Sequence, residues 1–79
     1  MDDFLLRAFI TGINGFAGSH LADFLLSQGH EVTGLVKGKN SDLTNINHIK
    51  KKIKLFTCDI ADYQKLKKII KIVEPEMVF

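Results

Sequence analysis

Thr11-Gly12-Ile13-Asn14-Gly15-Phe16-Ala17-Gly18 is the stretch on which the reading of this chain turns. An apolar run, Phe4 to Thr11, precedes it, and a helical pattern follows it. That order, strand then glycine turn then helix, gives each glycine a task. Gly12 permits a tight turn at the end of the strand. Gly15 lets the backbone approach a pyrophosphate with no Cβ in the way, and Gly18 allows the helix to pack close to the sheet. A helix start carries unpaired N–H groups and the positive end of the helix dipole, which suits phosphate. The spacing GxxGxxG is a variant of the GxGxxG dinucleotide fingerprint. It is not a phosphate-binding P-loop, because no Gly-Lys-Ser/Thr follows Gly18.

Working outward, Phe4–Thr11 predicts a buried parallel strand. Phe16–Gln28 predicts a helix, with Ala17, Leu21, Phe24, Leu25 and Gln28 on one face, Ser19, Asp23 and Ser27 on others, and Gly29 as its C-terminal stop. Val32–Val36 predicts a second strand whose small Gly34 suits a sheet interior. Ser41 is the expected cap of a short irregular helix over Asp42–Ile49. Lys50, Lys51 and Lys52 read as loop entering a third strand, Ile53–Thr57. Asp62 caps a helix over Tyr63–Val73 that Pro75 ends, with an apolar stripe of Leu66, Ile69, Ile70 and Val73. Met77, Val78 and Phe79 open a fourth strand. The pattern β-α-β-(short α)-β-α-β predicts an α/β fold, the N-terminal half of a Rossmann-like doubly wound parallel sheet. A sheet that stops inside its fourth strand reads as a fragment, residues 1–79 being a partial domain. The rival expectation is a complete small α/β protein.

Composition narrows the classes. The 79 residues are 46% apolar and 25% charged, ordinary for a globular chain and unlike a disordered one. A chain this short buries only about 60–65% of its unfolded surface, so stability is expected to be marginal. Cys58 stands alone, which excludes an internal disulfide, and His20, His30 and His48 are too scattered for a small zinc domain. No apolar run is long enough for a membrane span, and Asp2 and Asp3 are the wrong charge for a signal peptide. The expectation is a cytoplasmic protein. Charge is uneven: residues 1–36 set one arginine against Asp2, Asp3, Asp23 and Glu31, a net −3, whereas residues 37–71 set ten lysines against Asp42, Asp59 and Asp62, a net +7. No aromatic residues interleave with these lysines as a base-stacking platform would require, so nucleic acid is not the expected partner.

Further candidates lie after the second and third strands. Strand two ends Val36-Lys37-Gly38-Lys39, with no acid between Glu31 and Asp42 to hold a ribose 2′-hydroxyl. Lys37, with Lys39 behind it, is therefore the candidate ligand for a 2′-phosphate, favouring NADP over NAD. Asp59 follows strand three, where its carboxylate can accept from an adenine amino group while Ile60 covers the ring. Asn14 and Ser19 are candidate donors near the phosphates, or else they satisfy the turn. Cys58 reads as a small buried hydrophobe, and His20 as structural. Tyr63 and Lys67 fit Y-x-x-x-K but sit on the wrong helix for a nicotinamide site, and are taken as coincidence.

TGINGFAGSHLADFLLSQGHEV, VTGLVKG, CDIAD and PEMVF together resemble the N-terminal part of the extended short-chain dehydrogenase/reductases. Within them the resemblance is to the NAD(P)-dependent sugar-nucleotide epimerases and dehydratases. The nearest are the GDP-mannose 4,6-dehydratases and GDP-4-dehydro-6-deoxy-mannose reductases. The resemblance implies that Thr11, Gly12, Gly15 and Gly18 bind the pyrophosphate; Asn14, Phe16 and Ala17, which lie among them, are the further residues expected at the cofactor. It likewise puts Asp59 and Ile60 at the adenine and Lys37 at the end of strand two. It also implies a much longer parent, a homo-oligomer acting on a nucleotide sugar. The parent's Ser/Thr and Tyr-x-x-x-Lys lie beyond this stretch, so no catalytic residue and no turnover are expected from residues 1–79. Two alternatives are an NAD(P)-sensing module without catalysis and a nucleic-acid binder using the basic half.

Overall fold

The computed structural model describes residues 5–79. Four strands form one parallel sheet in the order β3-β2-β1-β4. They are β1 (Arg7–Thr11), β2 (Glu31–Val36), β3 (Lys54–Thr57) and β4 (Met77–Val78). The helices are α1 (Phe16–Ser27) and α2 (Tyr63–Val73), with a 3-10 segment, Thr44–Lys52, between β2 and β3. This is the strand order of the first half of a doubly wound sheet, with β1 inside and β4 beside it.

Alternation along the strands sorts two cores. Ala8, Ile10, Val32 and Val36 pack with Ala22 and Leu25 of α1 and with Ile46 and Ile49 of the 3-10 segment. Phe9 and Leu35 face the other way, against Ile69 of α2 and Cys58, with Phe56, Leu66 and Val73 at the margin. Of the stripe expected on α2, Ile69 is buried, Leu66 and Val73 are half-buried, and Ile70 lies at its exposed border.

Arg7 fastens the late-arriving β4 to β1. Its Nε donates to the Glu74 carbonyl at 2.7 Å and its N–H to Glu76 Oε1 at 3.1 Å. The Glu76 N–H donates back to the Arg7 carbonyl at 2.8 Å. Glu74 has φ 49°, so α2 ends in a left-handed residue that turns the chain toward this contact. Asp62 caps α2 as expected, accepting from the Lys65 N–H.

Four local expectations are corrected. The first strand begins at Arg7, with Leu5 and Leu6 exposed before it; the expected start at Phe4 lies outside the described residues. On α1 the buried residues are Ser19, Ala22 and Leu25, whereas Phe24 is exposed. The close approach of α1 to the turn and sheet selects small residues over the larger ones. Ser19 satisfies its hydroxyl internally by donating to the Phe16 carbonyl at 2.9 Å. The 3-10 segment takes in Lys50, Lys51 and Lys52 as its last turn. Ser41 does not cap it, because its hydroxyl is occupied by both the N–H and the carbonyl of Gly38.

Asp42 does the local bonding that was expected of Ser41. Its Oδ1 accepts from the Thr44 hydroxyl at 2.6 Å and from the Thr44 N–H at 2.9 Å. These two bonds, the hydroxyl first, hold its carboxyl below the usual range although it is exposed. A pKa lower in the folded than in the unfolded chain stabilises the fold above the unfolded value. That contribution fades as pH falls through the folded value, below about pH 4. Thr44→Val is expected to raise the Asp42 carboxyl pKa, read by carbon-detected NMR titration of the carboxyl in the two proteins.

Candidate functional site

The C-terminal ends of β1, β2 and β3 open onto a cleft of about 340 Å³. Its lining combines Thr11, Gly12 and Asn14 after β1, Lys37 after β2, and Asp59 and Ile60 after β3, over a floor of Leu35, Val36 and Cys58. Six of the ten residues expected at a dinucleotide are thereby brought together from positions up to 49 residues apart. Gly15, Phe16, Ala17 and Gly18 lie beside it, on the turn and the start of α1.

The turn is built by its own sequence. Gly12 has φ +63°, the left-handed conformation that glycine adopts without strain. The Gly15 N–H closes the turn on the Gly12 carbonyl at 3.0 Å. Ile13 is wholly buried, and its N–H donates to the Leu35 carbonyl at 3.3 Å, continuing the ladder past β1. Its side chain fills the space over Gly34, where an added Cβ would lie 2.5 Å from Ile13 Cδ1 and Cγ2. At Gly18 an added Cβ would lie 2.5 Å from the Gly12 carbonyl oxygen and 3.0 Å from Ile13 Cα. Gly18 therefore lets α1 pack against the turn itself, a nearer neighbour than the sheet named by the sequence reading. Gly15 is tight as well, at 3.3 Å from the same oxygen.

The start of α1 is open to an anion. No side chain caps it and no acid stands in its first turn. The helical ladder begins with the Ser19 N–H on the Gly15 carbonyl, which leaves the preceding amides of the first turn unpaired within the helix. Phe16 is 77% exposed and meets the His20 ring edge-on, centroids 4.4 Å apart. Thr11 spends both its N–H and its hydroxyl on the Phe79 carbonyl, each at 3.0 Å, locking the end of β1 to the strand beside it. Asp59 is exposed; its Oδ1 accepts from the Ala61 N–H at 2.9 Å, and the same carboxylate retains a second oxygen. Ile60 is 63% exposed beside it, an apolar surface without cover. Lys37 is exposed at the rim and makes no ion pair among the described residues. Asn14 differs from expectation: its side-chain amide reaches the Asp42 carbonyl across the cleft's edge at 3.0 Å.

Other candidates fall elsewhere. Cys58 is buried, with Sγ 3.2 Å from the Asp59 carbonyl. Tyr63 is 73% exposed and shares a shallow surface groove with Lys67, Lys68 and Lys71, apart from the cleft. A larger cavity, about 650 Å³, lies toward the N-terminal ends of β2 and β3, lined by Asp23, His30, His48 and Lys52 among others. There His48 Nε2 pairs with Asp23 Oδ1 at 2.8 Å, a contact between α1 and the 3-10 segment that the sequence reading missed. Among the described residues no group of three or more His, Cys, Asp or Glu side chains is placed to hold a metal ion, and no helix is long and apolar enough to cross a membrane.

The geometry agrees with relatives of known type. The family profile described as GDP-mannose 4,6 dehydratase matches residues 9–79. GDP-mannose 4,6 dehydratase 2 of Arabidopsis thaliana is 38% identical over 91% of this chain, and GDP-mannose 4,6 dehydratase of Homo sapiens is 41% identical over 91%. The chain spans 22% of the length of each. Among solved structures, the Bordetella bronchiseptica enzyme WbmH in complex with NAD+ superposes with TM-score 0.79 at 29% identity, covering 92% of this chain and 24% of that one. UDP-glucose 4-epimerase of Thermotoga maritima gives TM-score 0.80 at 27% identity, covering 94% of this chain and 23% of that one. The fold is thus the Rossmann-like fold of the sugar-nucleotide epimerases. By the profile match, which runs from within β1 through the glycine turn to the end of the chain, the protein belongs to the GDP-mannose 4,6-dehydratase family.

Proposed function

We propose that this chain is the cofactor-binding portion of an NAD(P)-dependent sugar-nucleotide enzyme of the GDP-mannose 4,6-dehydratase type, and that its cofactor is NADP. The observation that carries the reading is the single cleft in which the glycine turn, Lys37 and Asp59–Ile60 converge beside an uncapped helix start. The residues fit a dinucleotide. The first-turn amides of Phe16, Ala17 and Gly18 and the bare backbone at Gly12 and Gly15 would hold the pyrophosphate. Asp59 would accept from the adenine amino group through its carboxylate, with Ile60 against the ring. Lys37 would neutralise a 2′-phosphate, in a loop region where no acid stands before Asp42 to take a 2′-hydroxyl.

When bound, the nicotinamide supplies hydride acceptance from the sugar and, in a dehydratase, its return after water is lost. Residues 1–79 bind and orient, and none is assigned to the proton transfers. We take these residues as the opening part of a dinucleotide domain, a reading supported by the 22% share of the relatives that they span. A nucleotide-sugar substrate, a homo-oligomer and a cytoplasmic location belong to the same proposal, carried by the family alone.

Titration calorimetry with NADP+ and NAD+ tests it. Lys37→Ala is expected to weaken NADP+ by about 10- to 100-fold, the range for a hydrogen bond to a charged group, and to leave NAD+ within about twofold. Equal loss for both cofactors removes Lys37 from the 2′ position. No binding of either by the unsubstituted protein removes the proposal.

A further inference from the structure

Asn14 reaches across the cleft's edge rather than into the turn. Its Nδ2 donates to the Asp42 carbonyl at 3.0 Å, and the Asn45 Nδ2 donates to the Asn14 carbonyl at 3.0 Å. The two bonds run in opposite directions between the same two segments, which are 28 and 31 residues apart in sequence. One segment is the glycine turn; the other runs from the loop that leaves β2 through Lys37 into the first turn of the 3-10 segment.

That loop is stiff within itself. Ser41 closes it on Gly38 with three bonds: its N–H and hydroxyl donate to the Gly38 carbonyl at 3.1 and 2.7 Å, and its hydroxyl accepts from the Gly38 N–H at 3.1 Å. Asp42 binds Thr44 through Oδ1, and Ile46 anchors the far end in the core. Such a loop moves as one piece. Among the described residues, the two asparagine bonds are its only side-chain hydrogen bonds to the glycine turn.

Resting on the functional reading above, we propose that Asn14 and Asn45 form a clasp that fixes the Lys37 loop relative to the glycine turn, and so sets how strongly the site discriminates at the ribose 2′ position. A dinucleotide held by its pyrophosphate over the turn carries its 2′ substituent at a fixed reach. A lysine on a loop free to drift contributes little there, because the contact must also overcome the entropy of ordering the loop. The asparagines are positioning residues: they hold the loop that holds the lysine.

The test uses Asn14→Ala, Asn45→Ala and the double variant, all in the intact protein; the cofactor comparison is read on Asn45→Ala, which removes the donating amide outside the cleft lining and adds no charge. Without any cofactor, amide hydrogen exchange at residues 38–45 is expected to quicken roughly tenfold in each single variant, as for a local opening that has lost a restraint. With cofactor, the NADP+ over NAD+ preference of Asn45→Ala is expected to fall by roughly tenfold, about the worth of one or two neutral hydrogen bonds. Affinity of Asn45→Ala for NAD+ should stay within about twofold, because Asn45 lies outside the cleft lining. The double variant should match the singles, because either loss opens the same clasp. Unchanged exchange, or equal weakening of both cofactors, overturns the inference. Unsubstituted protein that binds and discriminates while the variants keep its preference overturns the clasp alone. Unsubstituted protein that binds neither dinucleotide overturns the functional reading and the inference with it.

Discussion

Gly18→Ala is expected to abolish measurable dinucleotide binding and to lower the melting temperature by roughly 10–20 °C. The added methyl would lie 2.5 Å from the Gly12 carbonyl oxygen and 3.0 Å from Ile13 Cα. Both are backbone atoms, so no side-chain rotation relieves the contact. Helix α1 must move off the turn, and the amides offered to the pyrophosphate move with it. Forcing a methyl into such packing costs about 1–3 kcal/mol. A domain of this size shifts by about 4–8 °C per kcal/mol. Alanine is otherwise the better helix residue, by up to about 1 kcal/mol over glycine. A stabilised Gly18→Ala protein would mean that the turn and helix are not packed as described. Thermal unfolding by circular dichroism and calorimetric titration with NADP+ read the two effects.

Gly34→Ala is the second large effect, and it is expected to be less than additive with a change at Ile13. The new Cβ would meet Ile13 Cδ1 and Cγ2 at 2.5 Å and Ile13 Cβ at 2.9 Å. Ile13 is fully buried and has no room to retreat. Gly34→Ala alone should cost about 1–3 kcal/mol, and Ile13→Ala alone about 2–5 kcal/mol through the cavity it leaves. Together they should cost less than the sum, with a coupling of about 0.5–3 kcal/mol. The contact is relieved only in part, because Ile13 Cβ, 2.9 Å from the added Cβ, remains in the double variant. Denaturant unfolding of the four proteins closes the cycle, and strict additivity would refute the contact. Ile13 also anchors the turn to β2, so its loss should weaken cofactor binding even where the fold survives.

Much of this was legible because the deciding signals are local. Asp62 three residues before Lys65, Gly29 after α1 and the glycine spacing after β1 each state their geometry within a few positions. The β1–β4 pairing followed from the parallel alternation of strand and helix, without any single residue stating it. What escaped the sequence depends on partners far along the chain. Nothing near Asn14 indicates that its amide is spent on Asp42, so a phosphate role looked as good. Asp23 and His48 read as separate surface residues until the fold joined them. Ser41 and Asp42 are both good capping residues, and only the bonds of Ser41 to Gly38 decide between them. Ser19 falls off the expected apolar face by its polarity, yet it is buried beside Gly18, where its small size fits.

Two-dimensional amide NMR of the uniformly nitrogen-15-labelled protein, titrated with NADPH, shows where on the fold the dinucleotide binds. It separates the 340 Å³ cleft at the strand C-termini from the larger 650 Å³ cavity at the opposite end of the sheet. The account predicts saturable shifts at Gly12, Gly15 to Gly18, Lys37, Gly38, Asp59 and Ile60, with Asp23, His30 and His48 unmoved. Shifts confined to the cavity around Asp23 and His48, or no saturable shifts at all, would contradict it.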